Sequence, residues 1–492
     1  MPIDAPAWPP DTVFYQVFPD RYARSGRVPA PGPFEAWDAP PTQRGYKGGD
    51  LYGIVDRLDD LADLGIGGLY LNPVFTAASN HRYNTSDYLA VDPLLGGEAA
   101  LRALVDGAHE RGIRVLLDGV FNHSGRGFFP FQHVLESGPA SPFRDWFYLD
   151  DDVLAGRRWV DAYPPGDQAG HHDRAGFRAW WNIPSLPKLR VEHPRVREYL
   201  FGVAEHWLRF GIDGWRLDVP ADVEDETFWP EFRRRVRAVK PEAYLVGEIW
   251  SESPEWVAGD RFDGLMNYPL GLAILGFASG GRLDQAAIDG QADYRQFLIA
   301  LDGPAFGSRV DRLVAVHDPV TVGLQYNLIG SHDSPRARTC LAGDIAALRL
   351  AMVLLLTLPG TPSIYYGDEV AMEGGPDPDC RRGYPVEPDV DALAMRAFAR
   401  SLIRARRDQV ALRRGTVRVN AATGQAIALV READGEHAVV AVNSGRSPER
   451  LTLDRSVVAG LSPIELPEVA PGRIADGGAV IDLPPQAALI LA

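Results

Sequence analysis

Two carboxylates in this chain have the spacing that a reaction with two acids needs. Asp218 ends the segment GWRLD at 214–218, and Glu248 follows it by 30 residues, in GEIW at 247–250. One strand, one helix and the next parallel strand take about that length. Both acids are therefore expected at the carboxyl ends of neighbouring strands, where barrel enzymes build their sites. There they could face one substrate bond from either side.

The chemistry that suits such a pair is retaining cleavage of a glycosidic bond. One carboxylate is the nucleophile, and a second carboxyl group about 5 to 5.5 Å away acts first as acid and then as base. Asp218 and Glu248 fit these two roles. Arg216 stands two residues before Asp218 and shares its strand face, so its guanidinium would keep the nucleophile ionised and oriented.

Further polar groups follow other predicted strand ends. Asp333 could stabilise positive charge at the anomeric carbon, while His332 and His123 could supply hydrogen bonds to sugar hydroxyls. We count Asp118 in the same substrate-binding set but interpret its carboxylate as an internal hydrogen-bond partner. A single acid at a strand end is more often a loop or capping group, and either histidine could be a buried structural residue. Three acids at successive strand ends favour a site.

Sugar sites also need flat apolar faces, and the chain offers several candidates. Tyr83, Trp250 and the adjacent pair Trp180 and Trp181 are among them. Because aromatic side chains mostly fill cores, each of these residues alone is weak evidence for sugar binding.

The elements that must position these residues alternate between strand and helix from residue 13 to about 407. Strand patterns occupy eight segments: 13–18, 68–71, 114–120, 214–219, 244–249, 263–267, 325–329 and 363–366. Between them lie apolar residues at helical spacing, such as Leu101, Leu104, Val105 and Ala108. Gly112 then follows, which suits a left-handed helix cap. Eight such units predict a closed α/β (β/α)8 TIM barrel rather than an open doubly wound sheet.

Two stretches depart from this alternation. Residues 123–184 are rich in aromatic residues, Gly, Pro and Asp with little periodicity, which predicts an inserted lobe after the third strand. From residue 410 the pattern changes to short alternating strands around the Asp434-Gly435 turn, which predicts a C-terminal all-β sandwich domain over 410–492. The catalytic barrel would then comprise residues 1–122 and 185–409.

Composition limits the classes of partner. The 492 residues are 46% hydrophobic and 24% charged, which is ordinary globular composition. A net charge of −16 and a pI near 5.2 argue against nucleic acid or an anionic membrane as partner. The two cysteines imply no disulfide framework, and the N-terminal residues lack a signal-peptide pattern, so a cytoplasmic location is expected. The longest apolar run, 350–358, is too short to span a bilayer.

Four motifs, taken together, resemble the α-amylase family of glycoside hydrolases over nearly the whole chain. They are DGVFNH at 118–123, GWRLD at 214–218, GEIW at 247–250 and GSHD at 330–333. The resemblance implies that Asp218 is the nucleophile, Glu248 the acid/base and Asp333 the transition-state stabiliser. It also implies which residues line the subsite of the attacked glucose: Arg216, His123, His332 and Tyr83.

Within that family the chain is similar to the cyclomaltodextrinase, neopullulanase and maltogenic amylase group, through LPKL at 186–189 and YGDEV at 366–370. Those enzymes usually begin with an extra β-domain that helps them dimerise, whereas here the barrel pattern begins within about 13 residues, so a monomer with an open cleft is expected. The chain departs from the group at 219–222, where VPAD replaces an Asn-Glu pair, and at Ser251, where His is usual. These positions tune substrate and transfer preference.

The resemblance also bears on cofactors and substrates. No cofactor is expected to be required, and a structural Ca²⁺ bound through Asn122 and other oxygen ligands is left open. The expected reaction is hydrolysis of α-1,4-glucosidic bonds in cyclodextrins, maltooligosaccharides and possible further α-glucans such as pullulan or starch, through a covalent glycosyl-Asp218 intermediate. The alternative activities are those of a general α-amylase, an α-glucosidase or a 4-α-glucanotransferase. A non-catalytic carbohydrate-binding protein is a more remote alternative.

Overall fold

The computed structural model describes residues 5–163, 175–475 and 480–492, and its centre is a ring of eight parallel strands. The strands of the chain, in order, are Phe14–Val17 (β1), Gly68–Leu71 (β2), Phe75–Ala77 (β3), Thr85–Val91 (β4), Arg114–Gly119 (β5), Gly214–Leu217 (β6), Tyr244–Gly247 (β7), Gly264–Leu265 (β8), Tyr326–Asn327 (β9), Thr361–Tyr365 (β10), Thr416–Thr423 (β11), Ala426–Ala433 (β12), Glu436–Asn443 (β13), Glu449–Thr452 (β14), Pro463–Ile464 (β15), Ala470–Pro471 (β16), Arg473–Ala475 (β17), Val480–Leu483 (β18) and Ala487–Leu491 (β19). The ring runs β8-β7-β6-β5-β2-β1-β10-β9, and a parallel bridge between Met266 and Tyr326 closes it. The predicted TIM barrel is confirmed.

Each of the eight predicted strand segments overlaps one barrel strand, but six of these strands are shorter than predicted, β8 and β9 most of all. Strand β8 has two residues where the pattern indicated five. The chain turns there because Asn267 caps the helix Tyr268–Ala278, its side chain accepting a hydrogen bond from the Leu270 amide. A local capping interaction has therefore replaced the end of the predicted strand.

Helices surround the ring because each presents an apolar stripe to it. The α-helices span Pro19–Tyr22, Leu51–Val55, Leu58–Leu64, Gly97–Glu110, Phe129–Ser137, Asp151–Leu154, Pro194–Phe210, Phe228–Val239, Tyr268–Ala278, Gln285–Asp289, Ala292–Phe297, Gly303–Ala315, Pro319–Leu324, Ala337–Cys340, Ile345–Thr357, Val390–Asp408, Val410–Arg414 and Arg455–Val458. The predicted stripe of Leu101, Leu104, Val105 and Ala108 is buried, and Gly112 has a φ of +70° just beyond that helix. None of the helices in the described ranges combines the length and apolarity that crossing a bilayer requires.

Aromatic side chains fill the amino-terminal half of the barrel interior. Phe14 and Tyr326 have ring centroids 5.4 Å apart, and Trp8 meets Tyr244 edge-on at 5.8 Å. These residues are part of a buried cluster separate from the helix layer. Because side chains fill this end, a reaction site can form at the carboxyl ends of the strands.

The predicted lobe leaves the barrel after β5, and short bridges hold it in place. These bridges join His123 with Lys188, Phe147 with Leu189, Leu149 with Phe177 and Ala179 with Pro187. The pairing therefore extends to Leu189, past the predicted boundary at 184. Residues 164–174 of the predicted lobe lie outside the described residues.

The C-terminal segment forms two layers of mainly antiparallel strands, which confirms the predicted all-β fold. One sheet has the order β11-β12-β13-β19-β15 with β16 beside β19, and the other has the order β14-β18-β17. Apolar residues such as Val430, Val439 and Ile481 are buried between the layers. The opposite face of the larger sheet joins the helix layer of the barrel, as Leu429 and Val440 belong to the same core cluster as the barrel helices.

Two buried arginines lie where the sheet meets the barrel, and both bind only main-chain oxygens. Arg406 donates to six carbonyl oxygens, among them those of Leu356 at 2.9 Å and Gly360 at 2.6 Å. Arg431, on β12, donates to the carbonyls of Gly415 at 2.6 Å and Thr357. Burial lowers the pKa of Arg406 to about 9. Together the two guanidinium groups satisfy helix-end carbonyls that would otherwise lack partners.

A different ion cluster closes the amino-terminal end of β6. Asp213, immediately before the strand, accepts hydrogen bonds from the Val115 amide at 2.9 Å and from Lys240 Nζ at 2.8 Å. Its other contacts are His109 Nε2 at 2.7 Å and Arg114 Nη1 at 3.3 Å. Burial raises the pKa of Asp213, but the hydrogen bonds from His109 and Lys240 outweigh it and lower that pKa to about 2.

Candidate active site

Arg216 lies at the centre of the carboxyl end of the barrel and is only 1% exposed. Its neighbours on β6, Trp215 and Leu217, pack into the helix layer, so period-two alternation points Arg216 into the barrel. Arg216 Nη1 donates to Asp218 Oδ1 at 3.0 Å, and Nη2 lies 2.8 Å from Glu248 Oε2. One guanidinium thus holds both predicted catalytic carboxylates at the ends of adjacent strands.

Asp118 is the third carboxylate on Arg216, and all its contacts are internal. It accepts hydrogen bonds from Arg216 Nη1 at 2.8 Å, from the Tyr70 hydroxyl at 2.6 Å and from the Tyr83 hydroxyl at 2.7 Å. These donors occupy both oxygens of a fully buried carboxylate. Asp118 is therefore suited to orienting Arg216 and Tyr83 rather than to reacting.

The backbone turns sharply after Asp218. Val219 has φ 36° and ψ 52°, a left-handed conformation that is unfavourable for a β-branched residue. Such a residue stores on the order of 1–3 kcal/mol of strain, and strain of this kind is found at functional sites. Here the turn directs the Val219 amide to Glu248 Oε2, 3.1 Å away. The strained residue thus couples the position of one predicted catalytic acid to that of the other.

Asp333 lies in a second cluster, with His332 and Arg381. Asp333 Oδ2 is 3.0 Å from His332 Nε2, and Arg381 Nη2 donates to Asp333 Oδ1 at 3.1 Å. The amide nitrogen of Gln16 lies 2.9 Å from His332 Nδ1, so Nδ1 accepts and Nε2 carries the proton. Burial lowers the pKa of His332 well below its usual value. A neutral imidazole therefore presents an N–H group to Asp333.

Tyr83 joins the two clusters. Its hydroxyl is 2.6 Å from His332 Nε2 and donates to Asp118, while its ring lies parallel to the imidazole with centroids 5.3 Å apart. Asn72 donates to the same hydroxyl at 3.0 Å. The predicted site residues on β5, β6 and the turn after β9 are therefore linked by one continuous hydrogen-bond network.

His123 and Trp250 lie on either side of this network. His123 is buried, accepts at Nδ1 from the Asn122 amide nitrogen at 3.3 Å, and its Nε2 has no hydrogen-bond partner among the described residues. Burial lowers the pKa of His123 to about 3, so Nε2 is a neutral donor available to a ligand. Trp250 stacks on Tyr268 with centroids 3.5 Å apart and directs its Nε1 to Glu248 Oε1 at 3.3 Å.

The carboxyl groups outnumber the cations in this site, and their pKa values reflect that imbalance. Burial raises the pKa of Asp218 well above its usual value; Arg216 opposes this shift, and the charge of Glu248 adds to it. Asp333 keeps a third of its side chain exposed to the cleft, yet desolvation still raises its pKa to about 7. The crowding of these acids around one guanidinium therefore favours protonation within the group.

Several residues that contact the predicted site residues were not predicted from the sequence. Four of them are Tyr70, Asn72, Gln16 and Arg381. Asn72 directly follows β2, so a search for polar residues at every strand end would have found it. The other three carry no local signal, because their importance depends on contacts with residues at least 48 positions away in the chain.

Calcium binding has limited support from the donor groups. Asn122 Oδ1 is buried without a hydrogen-bond partner among the described residues, as an oxygen ligand awaiting a cation would be. However, the described residues contain no cluster of three or more His, Cys, Asp or Glu side chains arranged for a metal. Ca²⁺ takes six to eight oxygen ligands. One amide oxygen does not provide that set, so a structural calcium ion stays a prediction.

Comparison with known proteins gave concordant matches. The family model described as "Alpha amylase, catalytic domain" matches residues 16–418. A cyclomaltodextrinase of Geobacillus thermopakistaniensis is 40% identical over 94% of this chain and 72% of its own length. Neopullulanase 2 of Thermoactinomyces vulgaris is 39% identical over 89% of this chain and 70% of its own. Among solved structures, the debranching enzyme of Nostoc punctiforme superimposes with a TM-score of 0.88 at 40% identity, covering 100% of both chains.

Proposed function

This chain belongs to the α-amylase family of glycoside hydrolases, as its motifs predicted, and we propose that it hydrolyses α-1,4-glucosidic bonds in cyclodextrins and maltooligosaccharides with net retention. The observation that carries the proposal is the single Arg216 guanidinium that holds Asp218 and Glu248 at neighbouring strand ends. A retaining mechanism needs two carboxyl groups fixed close to one bond.

In the first step, Asp218 attacks the anomeric carbon while Glu248 protonates the departing glycosidic oxygen. The C1–O bond to the leaving sugar breaks and a C1–O bond to Asp218 forms. In the second step, the Glu248 carboxylate takes a proton from water, whose oxygen bonds to C1 as the ester to Asp218 breaks. Two inversions at C1 give net retention, and Glu248 ends protonated as it began.

The other residues stabilise the positive charge that develops in the transition state of each step. The transition state resembles an oxocarbenium ion, so a carboxylate at Asp333 stabilises it electrostatically. His332 and Arg381 orient that carboxylate. The free Nε2–H of His123 is available to a sugar hydroxyl.

The roles of the two acids can be separated with α-maltosyl fluoride, because departure of fluoride needs no protonation. Glu248→Gln should release a burst of fluoride and then stall, since the second step lacks its base, and should lose most activity on maltoheptaose. Asp218→Asn should fail on both substrates. Absence of a fluoride burst in Glu248→Gln, or near-normal turnover in either variant, would remove these assignments.

A second candidate is cleavage of α-1,6 branch points, and the match over the full length of both chains to the Nostoc punctiforme debranching enzyme favours it. Initial rates on β-cyclodextrin, maltoheptaose, soluble starch and pullulan decide between the two. Faster turnover of β-cyclodextrin and maltoheptaose supports the first proposal. Pullulan is built of maltotriose units joined by α-1,6 bonds, so release of maltotriose would identify α-1,6 cleavage and release of panose would identify α-1,4 cleavage.

A cytoplasmic location and a monomeric state belong to the same proposal. The two buried free cysteines support a reducing compartment. Light scattering of the purified protein tests the monomer directly.

A further inference from the structure

Two stacked tryptophans extend from the active site to the surface of the lobe. The Trp180 ring stacks on His123 with centroids 5.2 Å apart and 19° between the planes, and Trp181 stacks on Trp180 at 4.5 Å and 12°. Trp181 is nonetheless 71% exposed. Trp180 covers one face of the Trp181 ring, so the other face is open to a ligand.

This aromatic pair is fixed to the loop that carries the nucleophile. Trp180 Nε1 donates to Asp222 Oδ2 at 2.7 Å, and Lys188 Nζ donates to the Asp222 carbonyl at 2.6 Å. Asp222 ends the short helix Pro220–Asp222, which begins two residues after Asp218. The exposed ring of Trp181 is therefore held at a defined position relative to the reacting bond.

A groove of about 240 Å³ runs beside the tryptophans. Arg178, Trp180, Trp181, Lys188, Asp222 and Glu224 line it. On its rim, Arg178 Nη1 donates to Glu224 Oε2 at 3.1 Å, and Lys188 Nζ lies 3.1 Å from Glu224 Oε1. Flat aromatic faces surrounded by fixed charged groups suit a sugar ring, which has apolar faces and a polar edge.

The turn at 219–222 links the groove to the acid assigned to the leaving oxygen. Val219 and Asp222 belong to the same turn, and the Val219 amide contacts Glu248, the acid assigned to the leaving oxygen. We propose that Trp181, seated on Trp180, is the platform for a glucose residue of the leaving glucan chain, and for an acceptor sugar that takes the place of water. This inference rests on the proposed function.

When a sugar accepts the glycosyl group, the bond between C1 and Asp218 breaks and a bond forms from C1 to the acceptor hydroxyl oxygen. The proton of that hydroxyl goes to the Glu248 carboxylate. A sugar bound on Trp181 raises the effective concentration of acceptor relative to water. Trp181 therefore controls both the KM for long substrates and the share of product formed by transfer.

The test compares Trp181→Ala with the unmutated enzyme on maltoheptaose and on α-maltosyl fluoride. The KM for maltoheptaose should rise about tenfold, which corresponds to about 1.4 kcal/mol. The rate on α-maltosyl fluoride should stay within about twofold, because fluoride places no sugar in the groove. With maltotriose added as acceptor, the fraction of product formed by transfer should fall several-fold.

Two variants serve as controls. Trp181→Phe keeps a flat ring and should retain most of the affinity for maltoheptaose. Trp159→Ala removes another lobe tryptophan, which is 61% exposed, and should leave the kinetic constants for both substrates unchanged. An unchanged KM for maltoheptaose in Trp181→Ala, or equal losses on both substrates, would overturn the inference. If the unmutated enzyme fails to cleave α-maltosyl fluoride at all, the proposed function itself is wrong, and the inference falls with it.

Discussion

Strand β6 has an aspartate at each end, and the two carboxyl groups occupy opposite electrostatic environments. Asp213, before the strand, contacts His109, Arg114 and Lys240, and its pKa is lowered to about 2. Asp218, after the strand, shares one arginine with two other carboxylates, and burial raises its pKa well above the usual value. Burial raises the pKa of both groups, and the two differ in how far their neighbours offset that effect.

The difference lies in the balance of charge around each group. Where cations surround one carboxylate, the ionised form is stabilised and the contact contributes to folding. Where carboxylates compete for one cation, a proton is retained and the site can act as both acid and nucleophile. One end of the strand therefore holds the barrel together, while the other end holds groups that favour reaction over stability.

The largest effect should come from neutralising the carboxylate at the reactive end. Asp218→Asn should lower kcat on maltoheptaose by about 10³-fold or more, because the nucleophile is lost. Its Tm should equal or exceed that of the unmutated protein, because repulsion within the site is relieved. Steady-state rates and calorimetry check both parts. A marked fall in Tm would mean that Asp218 is needed for folding, and the contrast with Asp213 would disappear.

Removing the shared cation should have the next largest effect. In Arg216→Gln the opposing charge is lost, so the pKa of Asp218 should rise further and the acidic limb of the kcat/KM profile should move to higher pH. We expect kcat/KM at the optimum pH to fall about 10²-fold, since Arg216 no longer fixes the positions of Asp218 and Glu248 relative to each other. An acidic limb that stays in place would show that Arg216 does not control the ionisation of the nucleophile.

The matching change at the stabilising end is Asp213→Asn. The folded-state pKa of about 2 lies below the ordinary value of 3.8, so the contribution of the carboxylate is present above pH 4 and is lost as pH falls towards 2. The variant should lose about 2 kcal/mol in the free energy of unfolding at pH 7. The deficit should shrink in urea titrations at progressively lower pH, while kcat should stay within about twofold. A deficit that did not depend on pH would contradict the ionic origin.

The smallest effect should come from a partner of Asp213 that is partly exposed. The side chain of His109 is 39% exposed, so solvent screens its contact. His109→Gln should lower the free energy of unfolding by about 0.5 kcal/mol at neutral pH, since Lys240 and Arg114 still pair with Asp213. Urea unfolding beside Asp213→Asn provides the comparison. A loss of unfolding free energy as large as that of Asp213→Asn would mean that the His109 contact alone accounts for the stabilisation by this cluster.

The reactive end of β6 could be predicted from the sequence more fully than the stabilising end. Asp218 and Glu248 stand in motifs at strand ends, and strand periodicity places Arg216 on the same face as Asp218. Nothing in the sequence near Asp213 indicates its partners, because His109 lies 104 positions away. Local pattern gives the direction of a side chain, whereas the fold decides which distant side chains it meets.

The lobe illustrates the same limit. Trp180 and Trp181 could be selected as aromatic candidates, but the sequence does not indicate that Trp180 binds Asp222, 42 positions away. The strain at Val219 was likewise not predicted, since valine gives no signal for a left-handed backbone. The sequence gives the identity of each residue. The contacts between Trp180, Asp222 and the turn at Val219 arise only when the turn and the lobe are folded together.

Arg406 and Arg431 affect how the sequences of the barrel and of the C-terminal sheets can diverge during evolution. Their acceptors are main-chain carbonyls, and every amino acid provides that group whatever its side chain. Substitutions at the accepting positions, such as Thr357, therefore leave the contact chemistry intact as long as the backbone keeps its path. At these contacts only the arginine side chain is specified, so the accepting positions can diverge without a compensating change in a partner.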